Sequence, residues 1–484
     1  MRRVISILLA VCLVLSLLAG CSNNHQKEQE VGPVYEEEYK LHDGKKAIII
    51  LPGLLASGLY DQETEEALWD PVKSDEVDLL EFMGVYDESH VNITVDSLAA
   101  EWPDLLDYAS DVLGDKKNSI MRRIMCNEQG DPANPNVVGV PVGYEGHLRY
   151  GALNSYKWWA EGLQAEFGEE YEVVVYNYNW LTDTRYAARD FAEFMRRNNY
   201  TDTVLIGHSM GGIVATEYMA MGAESRARID KFIAVAVPFY GSYMASSTFE
   251  HPYVFMDLID YYLDYYLDGD MLSRYEFLQD LDLASTKDVI KETVSAMYQK
   301  RILPFLYNMK SVYQLLPSAE LLALQAELDN QGAFENGQRI APADLFDWYM
   351  SRPFTTDNPT GTKAETASLE RRAIMADWQA YRDGFYVDRP EGKVFACDLV
   401  DTYYIVGVDS STELSINVEG EKRTAFSASA GDGTVPLLSA TRGKPEDNVH
   451  VFYVSHEQHI PMGTHWDGGQ REATLSIIRV SKGA

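Results

Sequence analysis

Three short stretches of this chain carry residues whose types and spacing suit acyl transfer. The first is Gly207-His208-Ser209-Met210-Gly211, a serine set between glycines at the spacing of a sharp strand-to-helix turn. A serine hydroxyl is a weak nucleophile at neutral pH, so a base must take its proton and an acid must orient that base. The second stretch, Gly431-Asp432-Gly433-Thr434-Val435-Pro436, offers Asp432 as the acid, although taken by itself an Asp-Gly pair in a Gly-rich loop reads first as an Asx turn. The third, Ser455-His456-Glu457-Gln458-His459, offers two histidines, and His465 is a third further along. Residue chemistry alone does not separate His456 from His459. His208 reads as part of the turn around Ser209 and not as the base.

The elements around these stretches decide between the catalytic and the structural reading. Thr203 to Ile206 is an apolar strand pattern leading into the serine turn, and a helical pattern runs from Ile213 through Met221. Ala47 to Leu51 (AIIIL) is a continuous apolar run ended by Pro52-Gly53, as expected of a strand buried on both faces. Further strand patterns cover Tyr171 to Tyr176, Phe232 to Val237, Thr402 to Val408 and Val449 to Val454, with helical spacing in Thr184 to Arg197 and a closing helix in Glu472 to Val480. Alternating strands and helices predict right-handed crossovers and a parallel sheet. With serine, acid and histidine following in that order, the predicted class is an α/β-hydrolase fold. It has a mainly parallel central sheet flanked by helices and a large, mostly helical cap insertion. The core is expected over residues 45–240, with a lid-like excursion over about 56–150, then a cap over 241–396 and the rest of the core over 397–484.

In such a fold the negative oxygen of the tetrahedral intermediate needs two backbone donors. One is the N–H of Met210, directly after the nucleophile. The other is expected from Pro52-Gly53-Leu54-Leu55, where Gly53 permits a tight turn that points the Leu54 N–H inward.

Composition narrows the setting. The 484 residues carry a formal charge of −33 at pH 7, which disfavours a nucleic-acid partner. Arg2 and Arg3 followed by the apolar run Val4 to Leu18 read as an export signal. Leu18-Ala19-Gly20-Cys21 resembles the lipobox of bacterial lipoproteins. It predicts a signal peptide over 1–20, lipidation of Cys21, and a polar tether over 21–44 that places the protein outside the cytoplasm on a membrane. Cys126 and Cys397 remain in the body of the chain, either bridged or as two buried thiols.

Taken together, the three stretches resemble the lecithin:cholesterol acyltransferase-like family, which includes lysosomal phospholipase and phospholipid:diacylglycerol acyltransferase. Ile50 to Leu54 is similar to that family's V-P-G loop, and Ala67-Leu68-Trp69 to its lid segment. Tyr178-Asn179-Trp180 resembles a Y-D-W-R stretch but departs at the Asp and Arg. Pro238 to Ser242, Ser311 to Pro317, Gly431 to Pro436 and Gln458-His459-Ile460-Pro461-Met462 also match. The resemblance selects His459 over His456, and it implies Leu54 and Met210 as oxyanion residues and Trp69 as a lid residue that meets lipid. It further implies cleavage of a lipid acyl ester through an acyl-serine intermediate, without a cofactor, or transfer of the acyl group to an alcohol.

Within the expected cap, residues 253–268 place Asp257, Asp260, Asp264 and Asp268 at helical intervals beside a broad aromatic face. That spacing lacks the loop pattern of a calcium site, so no metal is expected. The leading expectation is an esterase, lipase or phospholipase using Ser209, Asp432 and His459. The alternatives are an O-acyltransferase with the same residues and a surface lipoprotein that binds a ligand without catalysis. A complete set of triad candidates argues against the last.

Overall fold

The computed structural model describes residues 44–69, 123–127, 129–144, 148–250, 303–352, 372–420 and 422–480. The lipobox with Cys21, the tether, most of the lid-like excursion and the amphipathic stretch 253–268 lie outside these residues.

The chain enters as strand β1 (Ala47–Leu51), all five residues of which are buried. A small antiparallel sheet of β2 (Leu59–Asp61), β3 (Glu66–Ala67) and β4 (Val137–Gly139) follows. The helix Lys157–Phe167 then leads into β5 (Glu172–Val175), the helix Thr184–Arg197 into β6 (Thr203–His208), and the helix Met210–Ala220 towards β7 (Ile229–Val235). After a long insertion come β12 (Thr402–Val408) and β15 (Val451–Ser455), and the helix Gly468–Arg479 closes the chain. These six strands form one parallel sheet in the order β15-β12-β7-β6-β1-β5.

The period-two alternation of strand side chains builds two cores from single runs of apolar sequence. Ala47, Ile49 and Leu51 of β1 face one layer, together with Leu205, Phe232 and Ala234 from neighbouring strands. Ile48 and Ile50 face the other, with Ile206, Ile233 and Val235. The first layer is covered by Ala187, Ala188, Phe191 and Met195 of one helix and by Ile213, Val214 and Tyr218 of another. The second is covered by Trp159 and Leu163 and by Ala473, Ile477 and Ile478. Each such aliphatic side chain contributes roughly 1.5–3 kcal/mol by leaving water, which makes the register of β1 costly to shift.

The helix Thr184–Arg197 begins where expected because Asp183 caps it, its carboxylate accepting from Arg185 N at 3.0 Å. The insertion departs from a purely helical pattern. Between residues 241 and 396 the described residues include helices such as Tyr243–Glu250 and Trp378–Asp383, but also the hairpins β8 (Gly332–Glu335) with β9 (Gln338–Arg339) and β10 (Tyr386–Arg389) with β11 (Gly392–Phe395). The first hairpin joins β13 (Thr412–Glu419) and β14 (Lys422–Ala428) in a second, four-stranded sheet. β8 and β9 span four and two residues, too short to show a period, while β13 buries Thr412, Leu414, Ile416 and Val418 on one face and Ser415 on the other.

Spatially, β1 lies between β5 and β6, so the chain reverses direction across the sheet after β5. A crevice at such a switch point, beyond the carboxyl ends of β1 and β6, is where open α/β sheets bind ligands. The Pro52–Leu55 loop leaves β1 there, and Ser209 follows β6.

Candidate active site

Ser209 stands between β6 and the helix Met210–Ala220 with φ 53° and ψ −128°, a backbone conformation that non-glycine residues rarely adopt. The flanking glycines make this turn possible by close approach. A Cβ on Gly211 would overlap the Leu51 carbonyl, and one on Gly207 would lie 2.6 Å from Gly212 Cα. The hydroxyl therefore projects at the amino end of an eleven-residue helix, whose dipole favours developing negative charge.

Ser209 Oγ lies 2.9 Å from His459 Nε2, and His459 Nδ1 lies 2.7 Å from Asp432 Oδ2. Asp432 is 1% exposed, and its other oxygen, Oδ1, accepts from Thr434 N at 2.9 Å and Val435 N at 2.7 Å. The Asx turn and the acid of the constellation are thus the same residue, one carboxylate oxygen serving each. The His459 amide also donates to the Asp432 carbonyl at 2.9 Å, which ties the two residues together through the backbone as well. Because a carboxylate can only accept, the His459 proton sits on Nδ1 and leaves Nε2 free to accept from Ser209.

His456 and His465 are exposed and take no part, and His456 itself has φ 61° at the end of β15. The geometry thus brings together Ser209, Asp432 and His459 and leaves the other two histidines outside.

The loop after β1 closes the site from the opposite side. Ala56 N donates to Gly53 O at 3.2 Å in a turn whose Leu55 has φ 68°. A Cβ on Gly53 would stand 3.0 Å from Ser209 Cβ, so the loop rests against the serine with no room for a side chain. Gly53 N is taken, donating to Tyr156 Oη at 2.8 Å. Among the described residues no acceptor is found for the amides of Leu54 and Met210, which are open donors beside Ser209. The stretch Asn177 to Trp180 grips this loop from beneath. Tyr178 Oη donates to Pro52 O at 2.7 Å, Gly58 N donates to Asn177 Oδ1 at 3.0 Å, and Trp180 Nε1 donates to Ser57 O at 3.2 Å. Asn179, where the sequence departs from Y-D-W-R, donates to the Val137 carbonyl at 3.2 Å.

Trp69 is placed differently from a lipid-facing lid residue. It is 1% exposed, its Nε1 donates to Leu55 O at 2.8 Å, and its ring meets Trp180 at 5.6 Å between centroids. The indole supports the loop from the core because its polar edge finds a carbonyl there. Cys126 and Cys397 are both buried and are not bridged to each other. Cys397 is packed beside Thr216, and burial pushes its pKa up to about 12.

Tyr156 is not legible in the sequence, and His208 reads there only as part of the serine turn, without its partners. Tyr156 lies 2.6 Å from His208 Nδ1, and His208 Nε2 lies 3.0 Å from the His459 carbonyl. Burial first, then the neighbouring His459, lowers the His208 pKa to about 3, so its ring is neutral. The histidine inside the serine turn was the available signal for this link.

A strand, a strained serine turn, a helix and a histidine–aspartate pair on later strand ends decide the fold. It is an α/β-hydrolase domain. In agreement, a profile of the "Alpha/beta hydrolase family" matches residues 147–352, which include Ser209 but neither Asp432 nor His459. No curated protein matches the chain in sequence. Among solved structures, "The crystal structure of Tle4-Tli4 complex" is similar at 12% identity with a TM-score of 0.44, covering 90% of this chain and 98% of that one. Among the described residues of this hydrolase domain, no helix is long and apolar enough to cross a membrane.

Proposed function

We propose that the protein is a serine esterase that hydrolyses carboxylic esters through an acyl-enzyme on Ser209. The observation that carries this reading is the unbroken relay from Ser209 Oγ through His459 to a buried Asp432, at 2.9 and 2.7 Å. In the first half-reaction Ser209 Oγ attacks the ester carbonyl carbon while its proton passes to His459 Nε2. Asp432 stabilises the resulting imidazolium, and the amides of Leu54 and Met210 donate hydrogen bonds to the negative oxygen. The bond to the alcohol then breaks, and that alcohol leaves with the proton from His459. In the second half-reaction His459 takes a proton from water, the hydroxyl adds to the acyl carbon, and Ser209 Oγ departs reprotonated. Each oxyanion donor supplies about 10²-fold or more in rate.

For substrate, the resemblance of Ile50 to Leu54, Gly431 to Pro436 and Gln458 to Met462 to lecithin:cholesterol acyltransferase-like enzymes supports a lipid acyl ester. The leader and the lipobox at Cys21 support a lipid-anchored, extracytoplasmic setting in which such substrates are at hand. The triad is the same whether water or an alcohol attacks the acyl-enzyme.

The test offers the purified protein p-nitrophenyl esters and phosphatidylcholine, with and without acceptor alcohols, beside Ser209→Ala. Free fatty acid released by the parent and lost by roughly 10⁴-fold or more in the variant supports the esterase. A new ester in place of free acid would replace hydrolase by acyltransferase. Absence of turnover together with absence of fluorophosphonate labelling at Ser209 would refute both.

A further inference from the structure

The triad accounts for one proton path through His459, yet a second polar path reaches the same residue from behind. It starts at the oxyanion loop. Gly53 N–H donates to Tyr156 Oη at 2.8 Å, and Tyr156 Oη and His208 Nδ1 are 2.6 Å apart. His208 Nε2 and the carbonyl oxygen of His459 are 3.0 Å apart. A carbonyl oxygen only accepts, so the single proton of a neutral His208 lies on Nε2. Nδ1 is then an acceptor, and the Tyr156 hydroxyl must be its donor. Every bond in the path has one allowed direction, and each residue serves the next.

Burial makes this path stiff. Tyr156 is 1% exposed and His208 5%. The His208 ring is pressed between two glycines. A Cβ on Gly53 would stand 3.2 Å from Nδ1, and one on Gly463, within the helix His459–Thr464, would overlap the ring. The Gly463 backbone approaches the imidazole only because it lacks a side chain, and at Gly53 a Cβ would force the ring or the loop to give way. One ring therefore spaces the loop that precedes Leu54 from the helix that begins with His459.

We propose that His208 and Tyr156 form a positioning bridge that fixes the oxyanion loop and the backbone of His459 at one separation, so that the base and Leu54 N–H address the same bound carbonyl. This rests on the esterase reading of Ser209. Neither residue touches the reacting atoms, and both act through the groups they hold. A misplacement of about 1 Å in such an arrangement costs on the order of 10²-fold.

Kinetics of the full chain on p-nitrophenyl butyrate test the bridge. His208→Phe keeps a planar ring and removes both bonds. It is expected to lower kcat roughly 10- to 100-fold while leaving KM within about twofold, because ground-state binding is untouched. His208→Gln can restore a donor near the Nε2 position and is expected to recover part of kcat. Tyr156→Phe lowers kcat by itself. Added to His208→Phe it costs little more, because a bridge already broken cannot break twice.

A structural role alone would not produce that non-additivity at constant KM. Nitrogen NMR of the parent protein supplies a second readout, with His208 held as the neutral Nε2–H tautomer from about pH 5 to about pH 9. If His208→Phe proves unfolded, Tyr156→Phe, His208→Gln and the NMR signature still decide. An active parent whose kcat is indifferent to these variants, or whose losses simply add, overturns the bridge alone. A parent that neither turns over the ester nor takes a fluorophosphonate at Ser209 overturns the esterase reading and the bridge with it.

Discussion

Asp432 occupies the space that a side chain on Gly407 would take: a Cβ built there falls 2.5 Å from Asp432 Cβ and 2.8 Å from Met462 Sδ. Gly407 belongs to β12, the strand that ends just before the bridge between Ser410 and Asp432. The acid can reach His459 at 2.7 Å because the strand beneath it gives up one side chain. Gly407→Ala is therefore expected to push Asp432 off its line to His459. Ester turnover should fall about 10²-fold, with a loss of stability of about 1–3 kcal/mol from overpacking. Turnover on p-nitrophenyl butyrate and the urea midpoint measure the two effects, and unchanged turnover would show that Asp432 does not depend on this space.

Asp432→Asn preserves volume but not the acceptor pair. The amide can satisfy Thr434 N and Val435 N through its oxygen, which turns its NH2 group towards His459 Nδ1. The imidazole is then forced to carry its proton on Nε2, facing Ser209, where it cannot act as a base. A loss of about 10⁴-fold in kcat is expected with the melting temperature nearly retained. His456→Ala, by contrast, should keep parental turnover, since His456 is exposed and outside the relay.

Glu217 is buried in the helix that follows Ser209, 2.9 Å from Thr184 Oγ1. Burial first, then the charge of Asp183, raises its pKa well above the usual carboxylate range, against the opposing pull of Thr184 and Arg185. The folded chain holds a proton there that the unfolded chain releases above its ordinary value of 4.5. Stability therefore falls as pH rises from that value towards the folded pKa, by about 1.4 kcal/mol per pH unit from this group. Glu217→Gln removes the slope. The variant should be more stable than the parent at about pH 8 and nearly equal to it at about pH 4, in urea melts at both. A parallel pH dependence in the two proteins would mean that Glu217 is ionised in the fold.

The two thiols of the body, Cys126 and Cys397, are not bridged to each other and both are shielded. Iodoacetamide is expected to leave them unlabelled in the native protein and to alkylate both after denaturation without reductant, as read by peptide mass. A crosslinked peptide pair would contradict the structure.

The sequence by itself determined what short-range pattern can encode. Ala47 to Leu51 reads as a doubly buried strand because every residue is apolar, and Thr184 to Arg197 reads as a helix because its apolar residues recur on one face. The serine turn is legible because only glycines fit around it. The Asp432 and His459 stretches could be proposed from their order after Ser209.

Tertiary structure decided what depends on distance through space. His456 and His459 are three residues apart with the same chemistry, and the separation arises because β15 ends just before one and a helix starts at the other. Trp69 lies in the core beside Trp180, a placement fixed by the loop folded over both. The strands β8 and β13 lie far apart in sequence and pair only once the insertion has returned to the core. Tyr156 and His208 carry no local signature of their bond, because 52 residues of chain separate them and only the packed sheet closes that gap.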